Sequence, residues 1–214
     1  MTSGLPLIDS WLGDAPGASL LEAETALLAE VLDDVFGWEL LQVGLWGAPR
    51  GLIQGSRTRQ QTVIAERAAE GVDLVARLPQ LPIASGAVDA VLLPHTLEFL
   101  PDAKAMIREV DRVLAGEGQL IVAGLRPWSL WGLRSRLSRG RFPPGVRQLY
   151  AERRICDWLA LLGYEIIASR HYLHGAYILK ARKRVYTMTP IRIRPRERAA
   201  VLGSLVKPTS RTRS

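Results

Sequence analysis

The sequence is poor in the residues that build disulfide bonds and structural metal sites. It has one cysteine, Cys156, and three histidines, at positions 95, 171 and 174. A lone cysteine cannot close a disulfide within the chain, and the scattered histidines do not supply a structural zinc set. The composition therefore gives no sign of an oxidising compartment, and it predicts no metal site.

Long apolar runs and early basic residues are also missing. No uncharged apolar stretch approaches the roughly 18 residues that a membrane-spanning helix needs. The first basic residue is Arg50, so the pattern has neither the basic region of a secretory signal nor the arginines of a transit peptide. We expect a cytoplasmic protein without a transmembrane segment.

What the sequence does have is enough apolar material for a core and an uneven distribution of charge. Hydrophobic residues make up 48% of the 214 residues, which favours one compact folded domain with short extensions. Residues 1–125 carry 8 basic and 17 acidic side chains, whereas residues 126–214 carry 20 and 4. The net charge of +7 therefore describes neither half, and we expect an acidic body with a basic face or tail.

Short apolar runs alternate with amphipathic segments along the chain. Buried strands are predicted at 39–44, 61–65, 72–76, 87–93, 118–123, 164–168 and 176–180, and helices at 19–36, 102–115 and 148–162. This alternation predicts an α/β fold, in which a parallel sheet carries helices on both faces. The short turn between the last two strands predicts an antiparallel hairpin at one edge.

The middle of the chain carries a series of motifs. Residues 81–102 read Leu-Pro-Ile-Ala-Ser-Gly-Ala-Val-Asp-Ala-Val-Leu-Leu-Pro-His-Thr-Leu-Glu-Phe-Leu-Pro-Asp, and Glu-Val-Asp-Arg-Val-Leu at 109–114 precedes Gly-Gln-Leu-Ile-Val at 118–122. This series resembles the class I S-adenosylmethionine-dependent methyltransferases of the type 11 group. The resemblance implies a Rossmann-like, seven-stranded, mostly parallel sheet with an antiparallel edge strand, and S-adenosylmethionine as the cofactor.

The resemblance also implies how the chain is divided. Residues 1–37 form an N-terminal segment with a helix, and residues 38–182 form the methyltransferase-like domain. Residues 183–214 form a basic tail that we expect to be disordered, because prolines interrupt it and arginines dominate it.

The glycine turn after the first predicted strand differs from the pattern of the family that the chain resembles. The turn that follows the first strand reads Gln42-Val-Gly-Leu-Trp-Gly-Ala-Pro. Gln42 stands where the family has an acid, and Trp46 replaces the second glycine. The resemblance implies that Gln42, Gly44, Leu45 and Trp46 contact the methionine part of the cofactor, with Trp46 either closing the pocket or forming one of its walls.

The resemblance places further cofactor contacts after the second and third strands. Glu66 lies 22 residues after Gly44, near the spacing at which an acid binds ribose hydroxyls in comparable folds. Arg77 stands where the family often has an aspartate that accepts from the adenine amine. Arginine has no acceptor, although the backbone of Leu78 can still contribute.

The resemblance assigns the segment after the fourth strand to the methyl group and the substrate. Pro94 and His95 are expected to contact the cofactor there, and Glu98 is expected to line the substrate site. His95 can serve as a base if the acceptor must lose a proton, since methyl transfer otherwise needs mainly alignment. The alternative is that His95 is a capping or core residue.

A basic segment with two tryptophans follows the fifth strand. Residues 126–146 include Trp128 and Trp131, which we expect to line the substrate site as part of a lid over an apolar acceptor. The same pattern is typical of a membrane-surface or partner-docking helix, or of a solvated helix that packs its apolar face on the core.

Taken together, the motifs predict methyl transfer to an unidentified small or lipophilic acceptor. The substitutions at positions 42, 46 and 77 favour an alternative, in which a catalytically inactive methyltransferase-like protein serves as a binding or scaffold module. In either case the basic half, residues 126–214, can contact nucleic acid or an anionic membrane surface, or it can simply keep the chain in solution.

Overall fold

The computed structural model describes residues 5–15, 17–129, 133 and 143–185. The helices are α1 (Leu5–Gly13), α2 (Gly17–Leu32), α3 (Thr96–Phe99), α4 (Ala103–Val113) and α5 (Glu152–Leu161). The strands are β1 (Glu39–Val43), β2 (Gln60–Ala65), β3 (Leu74–Val75), β4 (Val88–Pro94), β5 (Leu114–Leu125), β6 (Tyr164–Tyr172) and β7 (Ala176–Lys183).

The strands form one sheet in the order β3-β2-β1-β4-β5-β7-β6. Strands β1 to β5 pair in parallel, and β7 runs antiparallel to both β5 and β6. The predicted fold class is therefore confirmed: the sheet is mostly parallel, and the β6–β7 hairpin forms one edge, with β6 outermost. None of the helices in the described part of the chain combines the length and apolarity needed to cross a membrane.

Strand alternation divides the core between the two faces of the sheet. Leu41 and Val43 of β1 belong to the cluster that packs under α4 and α5. Leu40, one residue before Leu41, belongs to the cluster that packs under α1 and α2. Because successive side chains of a strand point to opposite faces, each buried strand serves both layers.

The N-terminal region differs most from the prediction. Helix α1 is an additional helix, because the sequence pattern predicts a single helix within residues 1–37. The predicted helix 19–36 begins earlier, at Gly17, and ends at Leu32. Gly37 then turns the chain at a φ of 150°, where a Cβ would lie 2.7 Å from the Asp89 carboxylate. Asp89 in turn accepts a 2.6 Å hydrogen bond from the Trp38 amide, which fixes the start of β1.

The parallel strands end at the same edge of the sheet. Gly44 follows β1, Glu66 follows β2 and His95 follows β4. In open α/β sheets the crevice beyond the carboxyl ends of the strands is where ligands bind. This edge is therefore where a functional site is expected.

The predicted N-cap of helix α4 can be tested by substitution. The sequence predicts Asp102 as its N-cap, and the Asp102 carboxylate accepts a 3.0 Å hydrogen bond from the Ala105 amide. We expect Asp102→Ala to lower the free energy of unfolding by about 1 kcal/mol, the usual cost of losing such a cap. Chemical denaturation measures this change. Arg108→Ala, on the exposed face of the same helix, is the matched control, and equal losses in the two variants would contradict the capping role.

Candidate functional site

A cleft of two chambers opens at the carboxyl ends of β1, β2 and β4. The inner chamber has a volume of about 60 Å³ and the outer one of about 570 Å³. The inner chamber is lined by Ile8, Gly44, Leu45, Ala65, Glu66, Arg67, Leu78, Pro94, Thr96, Phe99 and Leu100. The outer chamber is lined by Glu66, Val75, Ala76, Arg77, Leu78, Phe99, Leu100, Pro101 and Arg147. Four residues line both, so the two chambers form one cleft, and the outer volume lies within the usual range of small-molecule sites.

The turn after β1 brings backbone directly to the inner chamber. Gly44 has a φ of +96°, and a Cβ there would stand 2.6 Å from the Thr96 hydroxyl oxygen. The same hydroxyl donates a hydrogen bond to the Val43 carbonyl, so Thr96 cannot easily withdraw. Glycine is thus required by the backbone conformation and by the packing, and the Gly44 backbone forms a wall of the chamber.

Glu66 lies where the two chambers meet. Its carboxylate is exposed at the end of β2 and accepts a 3.2 Å hydrogen bond from the Leu78 amide. Arg77 lines the outer chamber, where its guanidinium offers donors and no acceptor. The structure thus brings Gly44, Glu66 and the pair Arg77 and Leu78, which come from three separate segments of the chain, to one cleft.

Trp46 lies in the core and lines neither chamber. Its side chain is 1% exposed and packs in the cluster under α1 and α2. The indole N–H donates a 2.5 Å hydrogen bond to a Glu24 carboxylate oxygen, and the ring stacks on the His95 ring with centroids 4.0 Å apart. The expectation that Trp46 contacts the cofactor is corrected: burial against α2 holds the indole behind the cleft wall.

His95 is completely buried between two carboxylates. Nδ1 lies 2.8 Å from Glu98 Oε2, and Nε2 lies 2.7 Å from Glu24 Oε1. The Leu125 amide donates to Glu98 Oε1, and the Tyr172 hydroxyl donates to Glu24 Oε1. We call the three side chains Glu24, His95 and Glu98 the buried histidine cluster.

The comparisons with known proteins agree with this geometry. A family model described as a methyltransferase domain matches residues 53–122. The uncharacterized protein YafS of Escherichia coli (strain K12) is 33% identical over 181 residues, which cover 81% of this chain and 74% of YafS.

The chain belongs to the class I methyltransferase family. The uncharacterized protein Rv2003c of Mycobacterium tuberculosis (strain ATCC 25618 / H37Rv) is 31% identical over 175 residues, which cover 78% of this chain. The match spans 60% of the length of that relative.

Solved structures show the same fold at low sequence identity. A SAM-dependent methyltransferase from Thermotoga maritima superimposes with a TM-score of 0.62 at 15% identity, covering 84% of this chain and 99% of that chain. The [4+2]-cyclase SpnF superimposes with a TM-score of 0.60 at 20% identity, covering 85% and 93%. S-adenosylmethionine is therefore the cofactor that this methyltransferase fold implies.

The residues of this methyltransferase cleft fit a nucleoside-bearing cofactor. The glycine cradle at Gly44 leaves backbone open to a ligand, and the Glu66 carboxylate stands at the entrance to a chamber large enough for a nucleoside. Gln42 is fully buried beneath the turn, and its Nε2 donates a 3.1 Å hydrogen bond to the Gly44 carbonyl. Among the described residues nothing donates to Gln42 Oε1, so a buried acceptor remains unused next to the cradle.

The remaining predicted residues separate into three groups. Leu45 and Pro94 line the inner chamber. Glu98, expected to line the substrate site, is buried in the cluster and does not line the cleft. Trp128 is 80% exposed, whereas Trp131 lies outside the described residues.

His95 is buried and lines neither chamber, so the described structure shows neither its expected contact with the cofactor nor a position from which it could act as a base. Burial lowers the pKa of His95, but the carboxylates of Glu24 and Glu98 more than offset this effect and raise it to about 10. Burial also raises the pKa of Glu98, and contact with His95 only partly opposes it. An imidazolium with both nitrogens bonded to carboxylates has no lone pair for an acceptor proton.

Glu24 lies outside the methyltransferase motif, but the sequence pattern of α2 could have identified it as a buried residue. Leu20, Glu24 and Leu28 follow one another at intervals of four residues, and all three are fully buried. A single carboxylate on the apolar stripe of a helix must find a buried partner. That partner is His95, 71 residues away.

The buried histidine cluster gives the stability of the protein a defined pH dependence. The pKa of His95 is about 10 when folded against an ordinary 6.5. Its stabilising contribution is therefore complete below pH 6.5 and is lost as the pH rises through about 10. The raised pKa of Glu98 acts in the same direction.

We therefore expect the free energy of unfolding to fall between about pH 7 and pH 9.5 by more than about 1 kcal/mol. Urea titrations at several pH values measure this slope. His95→Gln should flatten it, whereas His171→Gln, at an exposed histidine, should leave it in place. An unchanged slope in His95→Gln would contradict the assignment.

Proposed function

We propose that this chain transfers a methyl group from S-adenosylmethionine to a small or lipophilic acceptor. The observation that carries the proposal is the continuous cleft at the carboxyl ends of β1, β2 and β4, with the Gly44 cradle at one end and Glu66 at the junction of its chambers. The cofactor supplies a methyl group on a sulfonium. The chain's part is to bind, orient and exclude water.

Each part of the cleft suits one part of the cofactor. Gly44 and Leu45 would hold the methionine end through their backbone, and Glu66 would accept hydrogen bonds from the ribose hydroxyls. The outer chamber would take the adenine between Leu78 and Arg77. Arginine donates only, so in this protein it would face the ring nitrogens of the purine and not its amine.

The burial of His95 limits the acceptors that this site can use. Because His95 lies behind the chamber wall, alignment carries the reaction, and the acceptor atom must be nucleophilic without losing a proton to this histidine. Phe99 and Leu100, which line both chambers, give the region after β4 an apolar character. These observations favour a small or lipophilic nucleophile over an acceptor that has to be deprotonated by the histidine.

A second candidate is a methyltransferase-like protein that binds partners without transferring a methyl group. The inner chamber, of about 60 Å³, favours this candidate, because it leaves little space for the methionine end of the cofactor. A fold shared with a protein named a cyclase shows that the fold alone does not determine the reaction. In this candidate the basic half would contact RNA or anionic surfaces, and residues 186–214 of that half lie outside the described residues.

Cofactor binding distinguishes the two candidates. A ligand at about 100 times its Kd adds roughly 2.7 kcal/mol of stability, and each kcal/mol moves Tm by about 2–4 °C for a chain of this size. We therefore expect S-adenosylmethionine to raise Tm by several degrees in a thermal-shift assay. The absence of a shift at millimolar ligand would reject the methyltransferase proposal.

The assignment of Glu66 needs a matched pair of variants. Glu66→Ala removes the carboxylate expected at the ribose, so the ligand-induced shift should disappear while the ligand-free protein stays folded. Glu70→Ala removes an exposed carboxylate four residues further along and should keep the shift. A full shift in Glu66→Ala would show that the cofactor is held elsewhere.

A further inference from the structure

The inner chamber has little negative charge of its own. Gln42 beneath the cradle is neutral, Arg67 in the chamber wall is paired with Asp9, and the single carboxylate of the lining, Glu66, stands at the junction with the outer chamber. S-adenosylmethionine carries a positive sulfonium between its methionine and ribose parts. A cation in a site of low dielectric binds well only if an opposite charge lies near it.

The buried histidine cluster has one imidazole between two carboxylic side chains. With His95 protonated, as its raised pKa of about 10 indicates, the formal charge of the cluster is minus one. The Trp46 indole donates to Glu24 and the Leu125 amide donates to Glu98. Donors of this kind favour the charged form of a carboxyl group.

This charge lies directly behind the wall of the inner chamber. His95 precedes Thr96 in the chain, Glu98 precedes Phe99, and Trp46, which donates to Glu24, follows Leu45. Thr96, Phe99 and Leu45 all line the inner chamber. Successive Cα atoms are about 3.8 Å apart, so the cluster is separated from the chamber by a single layer of residues and is sealed from water, which would otherwise screen its charge.

We propose that the buried histidine cluster is the counter-charge for the sulfonium of S-adenosylmethionine, with Glu24 of α2 supplying the carboxylate that makes the cluster negative. This inference rests on the proposed function. Methyl transfer breaks the sulfur–methyl bond, and the bonding electrons stay on sulfur, which becomes the neutral thioether of S-adenosylhomocysteine. The cluster therefore binds the cofactor more tightly than the spent product and favours product release.

The test compares affinities for the two ligands, because a role confined to folding would change both equally. We expect the full-length protein to bind S-adenosylmethionine about tenfold more tightly than S-adenosylhomocysteine, which corresponds to about 1.4 kcal/mol. Isothermal titration calorimetry measures both Kd values. Glu24→Gln keeps the shape of the side chain and should bring the ratio towards one.

Two further variants make the result decisive. Glu22→Gln removes an exposed carboxylate from the same helix and should keep the tenfold ratio. Glu98→Gln removes the charge from the other side of His95 and should lower the ratio as Glu24→Gln does. If neither cluster variant folds, the ratio of the unmodified protein decides, with a value near ten supporting the proposal and a value near one overturning it.

The outcomes separate this inference from the proposed function. If neither ligand binds the unmodified protein, the methyltransferase proposal fails, and the inference fails with it. If both ligands bind with equal affinity, the cleft holds the nucleoside but the cluster is not its counter-charge. An unchanged ratio in folded Glu24→Gln overturns the inference in the same way.

Discussion

The placement of His95 between Glu24 and Glu98 is the interaction on which the rest of the site depends. Transferring charges into a protein core costs several kcal/mol for each ion unless partners surround them, and removing one partner leaves an unpaired charge. The cluster meets that condition by drawing on separate parts of the fold: α2 gives Glu24, α3 gives Glu98 and the end of β5 gives the Leu125 amide. Tyr172 at the end of β6 completes the set.

Because of these contacts, the N-terminal helices are part of the site. Ile8 of α1 lines the inner chamber, and Trp11 packs against Trp46 with ring centroids 6.0 Å apart. The tryptophan that interrupts the glycine turn is not an isolated substitution, because its indole N–H occupies the Glu24 oxygen that His95 leaves unused. Trp46 and Glu24 therefore belong to one hydrogen-bonded set behind the chamber wall.

The fold could be predicted from local patterns, and so could part of the cleft. The apolar runs predicted the parallel strands. Asp102 predicted the start of α4, because an N-cap is a contact between residues that are close in sequence. Gly44 and Glu66 could be placed because each directly follows a recognisable strand. The burial of Trp46 and the pairing of His95 could not, since their partner Glu24 lies 22 and 71 residues away. Helix α1 was not predicted because its burial depends on packing against α2 and the sheet, which outweighs its one proline and its terminal glycine.

We propose that one cleft, beginning at the Gly44 cradle and ending beside Arg77, holds S-adenosylmethionine in front of the buried histidine cluster. Hydrogen exchange of the backbone amides with and without the ligand measures this, because amides that line a ligand site are protected on binding. We expect added protection at Gly44, Leu45 and Leu78 and in the segment 95–100. Protection confined to other parts of the chain, or none with saturating ligand, would show that the cofactor is not held in this cleft.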